Sequence, residues 1–210
     1  MRKRKRRCLI GMAVLMLGVT ACGGGTSTSE FTPSQSSIYV SRDGKIQSAL
    51  VQSYDADYYS EEELREFLTA EIDSYNQEGQ TEAPVELSSC SLENGTASAI
   101  FSYGSTADFL AFAEAEQDTD NELSELSAMK VADALAAGLL LDAEFVKAKD
   151  ASAVDAEKIT RQSDLNMVAS SGGARIQTEG KVQYLSKGCT LVDDFTVQTP
   201  EEGRAYIIFK

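Results

Sequence analysis

The stretch "PVELSSCSLENGTASAIFSY", Pro84 to Tyr103, decides the fold class. Two β-prone runs, Pro84–Leu92 and Thr96–Tyr103, flank Glu93-Asn94-Gly95. Asn-Gly supplies the positive φ values that a two-residue hairpin turn requires, so the spacing predicts an antiparallel hairpin. Directly after it comes STADFLAFAEAE, Ser105–Glu116, which reads as a short helix with Ser105 as cap and Asp108 near its positive end. Upstream, Ser60 and Glu63 form a capping box, and Leu64, Phe67, Leu68, Ile72 and Tyr75 recur at helical spacing until Asn76–Gly79. Further upstream, Ser36–Val51 (SSIYVSRDGKIQSALV) predicts a second hairpin around Asp43-Gly44.

Beyond the acidic loop EQDTDNE, the run Leu123–Leu141 (LSELSAMKVADALAAGLLL) reads as a buried helix interrupted at Gly138. Glu125, Lys130 and Asp133 rule it out as a membrane span. Strands are expected near Glu144–Ala148 and Leu165–Ala169, a hairpin over Ala174–Leu185 around Glu179-Gly180, and strands at Thr190–Val197 and AYIIFK. Strands and helices come in blocks without regular βα alternation, which predicts an α+β fold: a single domain of β-hairpins packed with two or three helices. About 170 residues suffice for one core. The turns RDGKIQ and TEGKVQ resemble each other, but acid-Gly is what tight turns demand, and their flanks do not match.

The N-terminal segment carries a different kind of signal. Six cations fill MRKRKRR, and a short apolar run from Cys8 to about Ala21 follows and ends in Val19-Thr20-Ala21-Cys22. That run is too short to span a hydrocarbon core, which takes about 20 apolar residues, and its order is that of a secretory signal. Val19–Cys22 resembles the lipobox of bacterial lipoproteins. The resemblance covers the first 22 residues and implies diacylglycerol on the Cys22 thiol, with cleavage just before it. Two acyl chains suffice for stable anchoring, which implies a partner in the lipid bilayer and a place on the extracytoplasmic face of the cell membrane. The expected organisation is therefore a signal peptide over 1–21, a lipidated Cys22 with a Gly/Ser/Thr tether over 22–37, and the α+β domain over 38–210. In general look the chain is similar to many lipoproteins of Gram-positive anaerobes.

Composition bounds the chemistry. The chain has 19 basic and 33 acidic residues. Arg2, Lys3, Arg4, Lys5, Arg6 and Arg7 leave with a cleaved signal, so 19 less 6, or 13, basic residues remain and the mature formal charge is 13 − 33 = −20. Such a body is repelled by nucleic acid, whose binding needs the opposite sign. There is no histidine, which excludes Ser-His-Asp and Cys-His catalysis and His-containing zinc sites. Beside Cys22, processing leaves Cys90 and Cys189. Oxidised, that pair closes a loop of about 100 residues, worth about 4–5 kcal/mol in the chain-entropy model; the alternative is two free thiols.

Candidate sites are few. Asp55, Asp57, Glu61, Glu62, Glu63 and Glu66 fall partly in calcium-loop spacing, yet Tyr59 holds the fifth place and Ser60 the sixth, where glycine belongs. Asp118, Asp120, Glu122 and Glu125 do the same with Leu123 in the glycine place and Met129 in the bidentate one. No metal and no cofactor is expected at either. Tyr54, Tyr58 and Tyr59 form an aromatic group suited to a sugar or peptide ligand. Ser127–Lys130 (SAMK) matches S-x-x-K without its companion motifs. The reading is a membrane-anchored binding or envelope-assembly domain, with an envelope protein or a glycan as partner. Its alternatives are a histidine-free glycan hydrolase using two carboxylates in one pocket, one with a raised pKa, and a two-lobed solute-binding component of a transporter.

Overall fold

The computed structural model describes residues 28–54, 60–79, 85–140 and 142–210. The fold is α+β and single-domain. The first hairpin is β1 (Ser37–Val40) and β2 (Ile46–Ser53), in register Val40↔Ile46, with Gly44 at φ +82° in its turn. Helix α1 (Glu61–Gly79) starts at the expected capping box: the Glu63 N–H donates to Ser60 Oγ at 3.1 Å. The deciding hairpin is β3 (Glu86–Glu93) and β4 (Thr96–Tyr103), with Asn94 and Gly95 at φ +52° and +76° and Glu93 opposite Thr96. Helix α2 (Thr106–Ala115) is capped by Ser105.

Leu123–Leu141 departs from its expected helix. Glu125–Lys130 is strand β5, paired residue for residue with β8 (Asn166–Ser171), and only Val131–Ala136 is helical, as α3. Glu, Leu, Ala, Met and Lys are good helix formers, but the edge of β8 offers a row of backbone groups that must find partners, and that decides the conformation. Gly138, at φ +71°, is the C-terminal stop of α3, and the Leu139 N–H donates to the Ala134 carbonyl across it. The chain continues through β6 (Phe145–Lys147), β7 (Ala153–Val154) and α4 (Ala156–Thr160); the last two give no sequence signal long enough to read.

A second correction concerns Ala174–Leu185. β9 (Arg175–Thr178) and β10 (Val182–Ser186) form no hairpin: they belong to different sheets, and Glu179-Gly180-Lys181 is the step between them. The expected Thr190–Val197 strand is a small hairpin, β11 (Thr190–Leu191) with β12 (Thr196–Gln198), and the chain finishes in β13 (Arg204–Phe209). The sheet orders are β11-β12-β9-β1-β2-β4-β3 and β5-β8-β13-β10-β6-β7. All pairings are antiparallel except β1 with β9.

The two sheets share one core. Ile38, Val40, Ile46 and Ile176 of the seven-stranded sheet meet Val168, Leu185, Ile207 and Phe209 of the six-stranded one. α1 and α2 enter the same core beside β4, where Phe112 sits 5.0 Å from Tyr75 and 5.6 Å from Phe101, and Phe109 lies edge-on to Tyr103 at 5.3 Å. The outer face of the six-stranded sheet holds a second cluster, in which Met167, Tyr206 and Ile208 pack under Val131, Ala134 and Ile159 of α3 and α4.

The domain begins earlier than residue 38. Thr28 bridges to Gly180, the Ser29 N–H donates to the Glu179 carbonyl at 2.9 Å, and Phe31 stacks on Tyr39 at 5.2 Å. Residues 28–31 of the expected 22–37 tether thus contact the folded domain, and Cys22 lies outside the described residues. Among the described residues no helix is long and apolar enough to cross a membrane. At the sheet-to-sheet step, a Cβ on Gly180 would fall 1.7 Å from the Lys210 carbonyl oxygen, so backbone passes where any side chain would collide. Gly180→Ala is expected to cost about 1–3 kcal/mol or more, read as a lower urea midpoint at unchanged slope.

Candidate functional site

The sequence-predicted site residues fall into three places. Asp55, Asp57, Tyr58 and Tyr59 lie outside the described residues. Tyr54 follows the end of β2, where its N–H donates to the Gly95 carbonyl at 2.9 Å. Glu61, Glu62, Glu63 and Glu66 are exposed on the first turns of α1; Glu61 pairs with Arg65, and Glu63 completes the capping box. Their acidity suits the positive end of a helix.

Tyr54 lines a groove of about 540 Å³ between α1 and the β3–β4 hairpin, together with Ser60, Glu63, Leu64, Phe67, Leu92 and Ala97. Most of this surface is apolar. Phe67 was expected among the core residues of α1, but it is 60% exposed, while Ile72 is buried and Leu68 and Tyr75 are half-buried. Helical periodicity put Phe67 on the apolar side of α1; it could not show that a groove separates it from Leu92 of β3 and Ala97 of β4. Phe67 and Val192 are the large apolar side chains left exposed among the described residues. Glu63 supplies an acidic group on the groove wall, and the first turn of α1 that carries it also holds Glu61 and Glu62.

The second acidic group is built as a loop-holding device. Asp118 Oδ1 accepts from the N–H groups of Asp120 and Asn121, both at 3.1 Å, and its Oδ2 accepts from Asn121 Nδ2 at 2.9 Å. Asn121 is fully buried and also donates to the Ala49 carbonyl at 3.2 Å, tying the loop to β2. Glu125 pairs with Arg204 on β13. No cluster of metal-ligating side chains is present among the described residues. Asp118, Glu114 and Glu122 do share a cavity of about 620 Å³, and burial pushes the Asp118 carboxyl above the usual aspartate range against the pull of its hydrogen bonds. Two acids in one pocket, one with a raised pKa, is the pattern expected of a carboxylate hydrolase. Here both oxygens of the perturbed acid already accept protein hydrogen bonds, so its geometry serves the loop.

The remaining candidates separate in space. Ser127 and Lys130 sit three apart on strand β5, hence on opposite faces, and Lys130 Nζ donates to Asn166 Oδ1 at 2.7 Å. Ser-Lys catalysis is removed by that placement. Cys90 on β3 and Cys189 beside β11 are free thiols at opposite ends of the seven-stranded sheet, the second of the two alternatives the sequence left open. Burial raises both thiol pKa values. The two-lobed architecture of a solute-binding protein is also not what the chain adopts, since both apolar clusters form on one six-stranded sheet. No protein-family profile, no curated protein and no solved structure matches the chain.

Asp118→Ala is expected to destabilise the fold by about 1–3 kcal/mol at neutral pH, because it orphans three donors. It should also change the pH dependence. The folded-state pKa of Asp118 is raised, so folding takes up a proton, and wild-type stability falls as pH rises past the ordinary aspartate range. That part of the fall should vanish in Asp118→Ala, as followed by urea unfolding at a series of pH values.

Proposed function

We propose that the chain is a membrane-anchored, extracytoplasmic lipoprotein whose domain binds a partner protein of the cell envelope through the Tyr54–Phe67 groove. The observation that carries this reading is Phe67: an aromatic side chain 60% exposed on a helix whose Leu68, Ile72 and Tyr75 pack into the core. Exposed aromatics over a concave apolar wall are what binding hot spots are made of. Glu63 on the groove wall favours a partner that presents an apolar side chain beside a Lys or Arg. The anchor rests on the basic segment, the apolar run and Val19-Thr20-Ala21-Cys22.

Two experiments test the reading separately. In cells fed a labelled fatty acid, the wild-type chain is expected to carry label and fractionate with membrane, and Cys22→Ala to lose both; an unlabelled wild type defeats the anchor. For the groove, a photo-crosslinking amino acid at position 67 should capture a discrete envelope protein, whereas the same group at Val192, exposed on the β11–β12 hairpin, should not. Equal capture from both positions, or none from 67, removes the groove as a binding site. Phe67→Ser should leave stability within about 0.5 kcal/mol, since the ring contributes little to the core.

A further inference from the structure

A second cleft, separate from the Phe67 groove, carries a different chemistry. It lies at one rim of the seven-stranded sheet, where the end of β2, the start of β4, the start of β9 and the end of β12 converge under the segment 34–36. Its volume is about 470 Å³, and its lining includes Arg175, Gln198, Gln52, Ser53, Ser34 and Asp120. The surface is mostly hydroxyl and amide.

Arg175 stands out against the rest of the molecule. Of the five arginines among the described residues, Arg42, Arg65, Arg161 and Arg204 each pair with a glutamate: Glu179, Glu61, Glu157 and Glu125 respectively. Arg175 makes neither an ion pair nor a hydrogen bond of that set, in a chain with 33 acidic residues. It is partly buried, and β9 fixes its direction: Ile176 points into the core, so Arg175 points to the outer face, where Gln198 of β12 sits directly across in register. Asp120 lines the same cleft, but Ser36 Oγ donates to its Oδ2 at 2.9 Å, and Ser36 Oγ in turn accepts from the Val51 N–H at 3.0 Å. That network holds Asp120 in place as an acceptor.

We infer that this cleft binds a carboxylate-bearing carbohydrate. The Arg175 guanidinium takes the carboxylate in the two-pronged geometry that the planar fork favours. Gln198, Gln52, Ser53 and Ser34 serve as donors and acceptors for hydroxyls, and Asp120 accepts from one of them. A single negative charge fits better than a polyanion such as a phosphate-rich chain, because the surrounding protein is strongly acidic and repels added charge. A peptide carboxylate fits less well, since Val51 and Ala174 are the only apolar side chains among the lining residues. A guanidinium with no ion-pair or hydrogen-bond partner among the described residues, lining a polar cleft, has the form of a ligand contact.

The test is titration calorimetry with the full-length chain in detergent micelles, using a trisaccharide with one uronic acid residue, its neutral counterpart, and acetyl-Ala-Ala-Ala with a free carboxylate. The uronic trisaccharide should bind, and the neutral one at least about tenfold more weakly, as the loss of one charge-assisted contact implies. R175Q should lose about the same factor, R175K should fall between, and both should keep the wild-type melting temperature. Gln198→Ala, in register beside Arg175, should weaken binding by a smaller factor and serves as a second probe should R175Q fold poorly. Equal affinity of wild type and R175Q, tighter binding of the tripeptide, or no heat up to about 10 mM ligand would each overturn the inference.

Discussion

The rest of the structure depends on strand β13. Its residues alternate between two apolar layers: Ile207 and Phe209 complete the core between the sheets, while Tyr206 and Ile208 complete the cluster beneath α3 and α4. Burial of one such side chain contributes about 1.5–3 kcal/mol, so this short strand ties the two apolar layers together. β8 runs antiparallel beside it over six residues with the same division, Val168 inward and Met167 and Ala169 outward. The same end of the chain is pinned by backbone: Lys210 receives the Arg42 guanidinium and passes over Gly180. The N-terminal residues 28–31 close on that same corner, through Gly180 and Glu179.

Against this framework the functional candidates are exceptions to local rules. An acidic chain pairs its arginines, and Arg175 breaks that pattern inside a polar cleft. An amphipathic helix buries its aromatics, and Phe67 breaks that pattern above an apolar groove. Asp118 also looks exceptional through its raised pKa, yet every hydrogen bond it accepts serves the loop that seats Asn121 against β2. A perturbed carboxylate is therefore a weaker sign of function here than an unspent cation or an unburied ring.

How legible these features were depended on how local their causes are. The β1–β2 and β3–β4 turns were readable because Asp-Gly and Asn-Gly state their own backbone geometry. The capping box of α1 and the Ser105 cap of α2 were equally local. Glu125–Lys130 was misread because nothing within the segment reveals the open edge of β8 that recruits it. Glu179-Gly180 was misread for a related reason: acid-Gly marks a turn, but a turn within one sheet and a step between two sheets look alike in one dimension. Tyr54 was singled out from composition, while the groove beside it, and the Arg175 cleft altogether, had no sequence signal, since their walls come from segments far apart in the chain.

By itself, the sequence determined the α+β class, both tight hairpins, the two capped helices, the lack of histidine chemistry and the net acidity, because each follows from neighbouring residues or from simple counting. The lipobox proposed at Cys22 rests likewise on a local run of 22 residues, as a resemblance. Only the tertiary structure decided the two-sheet division, the strand state of β5, the separation of Cys90 from Cys189, the exposure of Phe67 and the isolation of Arg175. Each of these depends on which backbone edge, ring or charge comes within reach across the fold, and that is set by long-range packing.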